Sequence, residues 1–292
     1  KKKSITKDVP YLVTEHNGHM FPTKSFDTEA HRVEHMKRHL NVIHSALNPK
    51  HKISGAIGWA MFDYHTHSAF GSGDSVCYHG VLDMFRIPKY ASYAYLLNDN
   101  QKTFFHVLST MDIGEYPSGH LPEIFILTSY DAVKMYKNDV YIGTYHKAYE
   151  RYPHIKHPPI IIDDFIGSSL QRQENMKPKD AEKAKAVFKA IGLHGNKLSL
   201  KHKLSMLSLM KKYKLSMDDA VKLFFKYTSG WGSKRSTYRF EAYQDDQLVE
   251  QRVIDQSTSY ELLLTHNQKA MTHQDTYDVK RYVVKKVNQH DM

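Results

Sequence analysis

The chain has 292 residues, of which 41% are hydrophobic and 25% charged, an ordinary composition for a globular protein that buries a core. No apolar run approaches the ~20 residues that a membrane-spanning helix needs, so we expect no membrane partner. The opening sequence, KKKSITKDVP, has no apolar segment typical of a secretory signal, and the single cysteine, Cys77, excludes an internal disulfide. We therefore expect a cytoplasmic protein.

The net charge of +10 raises nucleic acid as a partner. Much of this charge is local, because thirteen lysines lie between Lys177 and Lys226. That segment lacks the glycine-rich, aromatic-stacking or helix-turn-helix patterns that accompany nucleic-acid binding. We interpret the lysines as solvated helix faces and expect no nucleic-acid partner; another anionic polymer is the alternative.

The first elements predict a strand, a helix and a second strand. Residues 9–17 form the first strand, in which an apolar run is followed by Glu15. Residues 29–47 form a helix capped by Asp27 or Thr28, and residues 53–64 form the second strand. Both strands are apolar on both faces, as buried parallel strands are. In an α/β barrel, catalytic groups gather where such strands end.

The rest of the chain alternates between short strands and a helical segment. A helix is predicted from Pro88 to about Leu97. Strands are then predicted at 104–109, 123–129, 132–137, 140–146 and 160–166, with Asn138-Asp139 as a hairpin turn. Three helices follow at 179–191, 199–213 and 217–227, the last opened by Ser216-x-x-Asp219. Strands resume at 238–243 and 248–254, and further strands are predicted at 260–264 and 279–287.

Three motifs resemble glycoside hydrolase family 2, in its β-galactosidase branch. They are TEHNGHMFPTKSFD, GAIGWAMFDYHTH and FGSGDSVCYHGVLDMFRIPKYASYAYL, in that order. SYDAVKMYKNDVYIG further resembles the Ig-like domain that follows the barrel in these enzymes. The resemblance implies the C-terminal piece of a (β/α)8 TIM barrel followed by an Ig-like β-sandwich with a helical insertion.

This resemblance also implies domain boundaries. Residues 1–99 would be the last two β/α units of the catalytic barrel, and residues 100–255 the sandwich, with its insertion at about 168–235. Residues 256–292 would start a further β-sandwich. If the helices are an insertion, the strands within 238–254 should pair with strands from 104–166.

In this family a glutamate that ends the seventh barrel strand is the nucleophile of a retaining glycosidase, and a tryptophan that ends the eighth lines the sugar site. The resemblance therefore implies Glu15 as the catalytic nucleophile and Trp59 as a substrate-binding residue. His19 and Asp63, in the two strand-end loops, are further candidates for binding sugar hydroxyls.

The second carboxyl of the catalytic pair is expected to lie outside this chain. The family places its acid/base glutamate after an asparagine upstream of the nucleophile, and the chain contains no Asn-Glu dipeptide. We therefore expect the C-terminal part of a longer β-galactosidase, inactive alone, whose partners are a β-galactoside and the N-terminal part of the same enzyme. A second copy of the chain is a further candidate partner. No cofactor is expected.

Two alternatives come from other functional classes. One is a non-catalytic carbohydrate-binding or assembly module. The other is a zinc peptidase, because His31, Glu34 and His35 fit the inverted motif H-x-x-E-H, which His39 extends. A zinc site needs a further ligand and an open cleft, and with 20 histidines in the chain chance matches are expected. We therefore expect no metal site and place this helix face on the exterior of the barrel.

Overall fold

The computed structural model describes residues 9–18, 21–67, 75–111, 122–195, 197–228, 236–267, 270–272 and 278–290. In this part of the chain the strands form five separate sheets, and none closes into a barrel. The assignment to a TIM barrel therefore stays a prediction. No helix in the described ranges is both long and apolar enough to cross a membrane, and the cytoplasmic location stays a prediction.

The N-terminal part contains the predicted parallel pair of strands joined by a helix. Strand β1 (Leu12–His16) and strand β2 (Gly55–Gly58) are parallel, and helix α1 (Glu29–Ala46) connects them. Thr28 is the N-cap of α1, since its hydroxyl accepts a hydrogen bond from the backbone N–H of His31. A short 3-10 turn at Pro49–His51 follows the helix.

The second strand is shorter than the prediction of 53–64, which is wrong beyond Gly58. After a cis peptide bond between Trp59 and Ala60, the backbone bonds to the segment 79–82 instead of continuing along β1. The amide of Ala60 donates to the carbonyl of His79, and the amide of Val81 donates back to Ala60. A second two-stranded sheet then forms from β3 (Tyr64–His65) and β4 (Val76–Cys77).

Two larger sheets share a core, as in a sandwich. Strands β5 (Phe105–Val107), β6 (Ile124–Thr128) and β9 (Ile160–Ile162) form the three-stranded sheet. Strands β7 (Ala132–Lys137), β8 (Val140–His146), β10 (Tyr238–Gln244) and β11 (Gln247–Ile254) form the four-stranded sheet, in the order β11-β10-β7-β8. Their shared core includes Ile126, Met135 and Phe240, all fully buried. The Ig-like character of this sandwich stays a prediction.

The expected pairing of 238–254 with strands from 104–166 is confirmed, because β10 pairs antiparallel with β7. The β7–β8 turn is also as predicted: Asn138 and Asp139 both have positive φ, the geometry of a tight hairpin turn.

Between β9 and β10 the described residues form four helices, which are α3 (Ser169–Gln173), α4 (Pro178–His194), α5 (Leu200–Tyr213) and α6 (Met217–Thr228). They pack around a small core of their own that includes Leu170, Ala181 and Phe188.

A second core joins the N-terminal part to the three-stranded sheet. Helix α2 (Tyr90–Leu96) packs on α1, and their buried residues Met36, Leu40 and Ala94 contact the outer face of β6 through Phe125 and Leu127. Every residue of β6 is therefore buried, with one face in each core.

The chain ends in a two-stranded antiparallel sheet of β12 (Tyr260–His266) and β13 (Tyr282–Asn288). Most of its side chains are exposed, including Leu262 and Val284. The expectation that it starts another sandwich, like the three domain boundaries, stays a prediction.

Candidate functional site

Glu15 lies at the C-terminal end of β1, with an exposed side chain. Asn17 adopts a left-handed conformation immediately afterwards, so the chain turns away from the sheet at this point. The Glu15 carboxylate lies directly over Gly18, where a Cβ atom would collide with Oε1. Strand, turn and glycine together hold a carboxylate open to solvent at the strand end.

Trp59 lies at the corresponding end of the neighbouring strand. His16 pairs with Gly58 across the two strands, and the amide of Trp59 donates to the carbonyl of His16 at 2.8 Å. The Trp59 ring is 41% exposed, and its Nε1 donates to the hydroxyl of Tyr64 at 3.1 Å. The indole is therefore held by its edge, and its partly exposed apolar surface suits stacking on the C–H face of a sugar.

Tyr64 is the hydrogen-bond partner of this indole. Burial raises the pKa of the Tyr64 hydroxyl first, with a hydrogen bond to Cys77 and the nearby negative charge of Glu15 acting in the same direction. The hydroxyl therefore stays protonated at neutral pH. Tyr64 belongs to β3 and pairs with Cys77 of the neighbouring strand β4. The Cys77 sulfur lies 3.2 Å from Nδ1 of His79.

Asp63 points into the protein. Its Oδ1 accepts hydrogen bonds from Nζ of Lys89 at 2.6 Å and from the amide of Gly80 at 2.9 Å, and both charged side chains are nearly inaccessible. Burial is the largest cause of the raised pKa of Asp63 and of the lowered pKa of Lys89. Lys89 also donates to the carbonyl of Thr23. These contacts favour a structural role, so sugar binding by Asp63 stays a prediction.

A row of histidines packs behind the strand ends. His16, His35 and His39 are all buried, with ring centroids 5.0 Å apart for His35 and His39 and 5.7 Å for His16 and His39. Nδ1 of His39 lies 2.9 Å from the hydroxyl of Tyr95. Burial lowers the pKa of His16 and lowers that of His35 to about 3, so both rings are neutral near pH 7.

The face of α1 that carries His35 and His39 is therefore buried. The expectation that this face lies on the exterior of a barrel is wrong. Helix α1 turns this face toward β1 and α2, because the ring of His39 packs against the rings of His16 and Tyr95. The His16 ring and the Tyr95 hydroxyl in turn occupy the space beside the side-chain-free backbone of Gly58.

The components of the H-x-x-E-H motif make separate contacts. His31 stacks on Phe21 with centroids 4.3 Å apart, Glu34 accepts from Arg38, and His35 is buried. Across the described ranges, no group of three or more His, Cys, Asp or Glu side chains has an arrangement that could hold a metal ion. The geometry therefore gives no support to the zinc-peptidase alternative.

The structure thus brings two of the four predicted site residues to one edge of a sheet: Glu15 and Trp59, on adjacent strands. Asp63 is turned inward, and His19 lies outside the described residues. Tyr64, the hydrogen-bond partner of Trp59, was not among the four predicted site residues. The signal for Tyr64 was weak, since it was one of several polar residues at the end of an expected strand.

Sequence comparison finds known β-galactosidases. The chain is 46% identical over 169 residues to a β-galactosidase of Thermoanaerobacterium thermosulfurigenes, which corresponds to 56% of this chain and 24% of the relative. It is 30% identical over 215 residues to a β-galactosidase of Thermoanaerobacter pseudethanolicus, covering 72% of this chain and 27% of the relative. The chain thus spans about a quarter of the length of these relatives. No protein-family model matches the chain.

The fold is similar to part of a solved structure. A β-glucuronidase from glycoside hydrolase family 2 superposes with a TM-score of 0.51 over 98% of this chain and 24% of that protein, at 16% sequence identity. The chain is therefore similar in sequence to part of known β-galactosidases, and similar in fold to part of a glycoside hydrolase family 2 enzyme.

Proposed function

We propose that this chain carries the nucleophile half of the active site of a retaining glycosidase that hydrolyses terminal β-galactosides. The observation that carries the proposal is the placement of Glu15 and Trp59 at the ends of two adjacent parallel strands. Kinship with β-galactosidases over more than half of the chain supports the choice of reaction and sugar.

Glu15 has the role of nucleophile in this proposal. Its carboxylate attacks the anomeric carbon, the glycosidic bond to the leaving oxygen breaks, and a covalent glycosyl-enzyme forms. Water then attacks the same carbon and releases the sugar with net retention. The Tyr64 hydroxyl accepts a hydrogen bond from the Trp59 indole, and the negative charge of Glu15 contributes to the raised pKa of that hydroxyl.

Trp59 supplies a surface for the sugar ring. The hydrogen bond from its Nε1 to Tyr64 fixes the orientation of the indole relative to the Glu15 side of the sheet. His19 is included in the proposal as a binding group for a sugar hydroxyl.

The second carboxyl belongs to a different segment of the polypeptide in this proposal. A retaining glycosidase needs an acid/base carboxyl ≈ 5–5.5 Å from the nucleophile. Asp63 is unsuited to this role, because its carboxylate is buried and bonded to Lys89. The acid/base glutamate would therefore come from sequence that corresponds to the remaining three quarters of the relatives.

The first test uses the 292-residue chain alone with aryl β-galactosides. We expect hydrolysis no faster than the uncatalysed background, because general acid–base catalysis alone contributes ~10²–10⁴-fold and part of the sugar site is also lacking. Robust turnover that Glu15→Gln abolishes would contradict the assignment of the acid to another segment.

The second test uses the longest natural polypeptide that contains this chain. Glu15→Ala should lower kcat by on the order of 10⁴–10⁶-fold, as expected when one member of a catalytic group acting as a unit is removed. Added azide should restore turnover of an activated aryl β-galactoside and yield the α-galactosyl azide, because the small anion enters from the face that the carboxylate vacated. Rescue with retention, or an unchanged kcat, would overturn the role of Glu15. Parallel assays with aryl β-glucuronides test the choice of sugar.

A further inference from the structure

A groove of about 570 Å³ opens between α5 and α6, with α4 as its base. Its lining is almost entirely apolar. Leu207 contributes from α5, Val221 and Phe225 from α6, and Ile191 from α4. The side chains on its two walls are far from buried, with exposed fractions of 56% for Leu207 and 46% for both Val221 and Phe225. Large apolar patches of this kind on a protein surface mark interaction sites.

The apolar residues on the α6 wall follow helical spacing. Met217, Val221 and Phe225 are four residues apart along α6, so they form one stripe that faces the groove. On α5 the groove is lined by Met206 and Leu207. Between these two apolar walls the groove leaves room for the apolar face of one more helix. At a rise of 1.5 Å per residue, the 14-residue helix α5 sets a contact length of roughly 21 Å for that helix.

The charge around the groove is strongly one-sided. Residues 177–228 contain thirteen lysines, no arginine and four acidic residues, so this segment accounts for +9 of the net charge of +10. Four of the lysines (Lys185, Lys189, Lys212 and Lys226) pair with carboxylates. Lys203, which lines the groove, has no carboxylate partner among the described residues. An apolar groove in this setting is complementary to an apolar stripe flanked by carboxylates.

We propose that the groove between α5 and α6 binds an acidic amphipathic helix of a separate partner protein. The partner helix places leucine-like side chains against the two walls and Asp or Glu residues beside the lysines. A field of this strength accelerates the encounter of two separate molecules, an advantage that a segment already tethered in the same polypeptide does not need.

Charge and shape disfavour other occupants. Two copies of this chain would bring two +9 surfaces together, so the same face of a second copy is repelled. An anionic membrane would satisfy the lysines, but it offers a flat surface, whereas these side chains line the walls of a groove.

The test uses the full 292-residue chain and a fluorescein-labelled 14-residue peptide. The probe is an amidated helix with leucine at i, i+3, i+4 and i+7 and glutamate on its flanks; the control peptide has lysine in place of each glutamate. Fluorescence anisotropy should show micromolar binding of the acidic peptide, at least tenfold weaker binding of the basic one, and an affinity that falls as salt is raised.

Matched variants locate the binding surface. Leu207→Gln and Val221→Gln should each weaken the acidic peptide at least tenfold, whereas Leu204→Gln should not change its affinity. Leu204 lies on the same helix and is 59% exposed, but it does not line the groove. Circular dichroism of the three variants is the control for folding, and all three should keep the helix content of the unaltered chain.

The following outcomes would overturn the proposal. They are equal binding of the two peptides, weakening by Leu204→Gln as large as by Leu207→Gln, vesicles of anionic lipid that bind through Leu207, and self-association that Leu207→Gln reverses. The peptide is also tested against the longest natural polypeptide that contains this chain. If that polypeptide does not bind the peptide but the 292-residue chain does, the groove is filled by a segment of the same molecule, and the proposal of a separate partner is overturned.

Discussion

At the residue scale, the buried ion pair between Lys89 and Asp63 connects the segments that follow β1 and β2. Lys89 bonds both Asp63 and the carbonyl of Thr23, so one buried ammonium joins two separate loops. We expect Lys89→Met to destabilise the protein by about 3–5 kcal/mol, because it leaves a buried carboxylate without its partner.

This loss should depend on pH in a definite direction. Burial already raises the pKa of Asp63, and removing Lys89 removes the contacts that oppose the rise. The penalty is therefore greatest above the folded-state pKa of Asp63 and shrinks as the pH falls below it, where the carboxyl is neutral. Urea unfolding at pH 7.0 and pH 4.5 measures both values. The double variant Asp63→Leu, Lys89→Met is the control and should recover part of the loss; an equal loss at both pH values would contradict the explanation.

A second prediction concerns His35, which burial keeps neutral with a pKa of about 3. The unfolded chain takes up this proton below its ordinary pKa, 6.5, so stability is complete above pH 6.5 and is lost as the pH falls toward 3. The slope is at most about 1.4 kcal/mol per pH unit. We expect His35→Leu to reduce the loss of stability between pH 6.5 and pH 5.0 by about 1.6 kcal/mol.

The control for this experiment is His266→Leu. His266 is an exposed histidine on β12, and its replacement should leave the pH dependence of the urea midpoint unchanged. If His35→Leu and the wild type lost stability in parallel, the ring of His35 would not be the buried neutral group described above.

The residues of the site differ in how far the sequence predicts them. Glu15 and Trp59 were predicted because the motifs around them resemble glycoside hydrolase family 2, and for Glu15 also because it follows an apolar run. The inward position of Asp63 depends on Lys89, 26 residues further along, and nothing in the local pattern indicates that they meet. The burial of His35 and His39 likewise depends on packing between α1, β1 and α2.

At the element scale, α6 begins with a reciprocal cap. The amide of Asp219 donates to the hydroxyl of Ser216, and the amide of Ser216 donates to the carboxylate of Asp219 at 3.0 Å. We expect Ser216→Ala to lower the free energy of unfolding by about 1 kcal/mol. Thermal unfolding followed by circular dichroism measures it, with Ser208→Ala, at an exposed position inside α5, as the matched control. A larger effect of the control would show that the cap is not the cause.

Elements with local causes were the most predictable. The cap of α6, the hairpin turn at Asn138-Asp139 and the three long helices follow from short-range sequence patterns, and their bounds differ by three residues or fewer from those expected. The end of β2 at Gly58 was not predictable in this way. It is set by backbone hydrogen bonds to residues 79–82, which a single apolar run cannot reveal.

At the scale of the whole molecule, the apolar surface of β1 and β2 is uncovered. Leu12, Ile57 and Met61 are each at least half exposed. Open strand edges with apolar side chains are templates for further pairing. We therefore expect the purified chain to self-associate through this edge, as measured by light scattering over a range of concentrations.

Amide exchange should divide the N-terminal part in two. Helices α1 and α2 are fixed to the three-stranded sheet through the second core and should be strongly protected. The amides of β1 should exchange much faster than those of β6, unless self-association covers them. A strict monomer with slow exchange in β1 would contradict both expectations.

The burial of β6 on both faces affects both the register of this strand and the unfolding of the molecule. A slip of one residue in most strands moves apolar side chains into water and is thereby penalised. In β6 such a slip would exchange Ile124 and Ile126 for Phe125 and Leu127, which are also apolar. The difference between apolar and polar side chains therefore cannot by itself fix the register of β6 against its neighbouring strands. Only the different shapes of these side chains and the neighbouring strands can do so. Both cores contain side chains of β6, so neither core can be lost without exposing this strand. The parts of the molecule that the two cores support should therefore unfold in one transition.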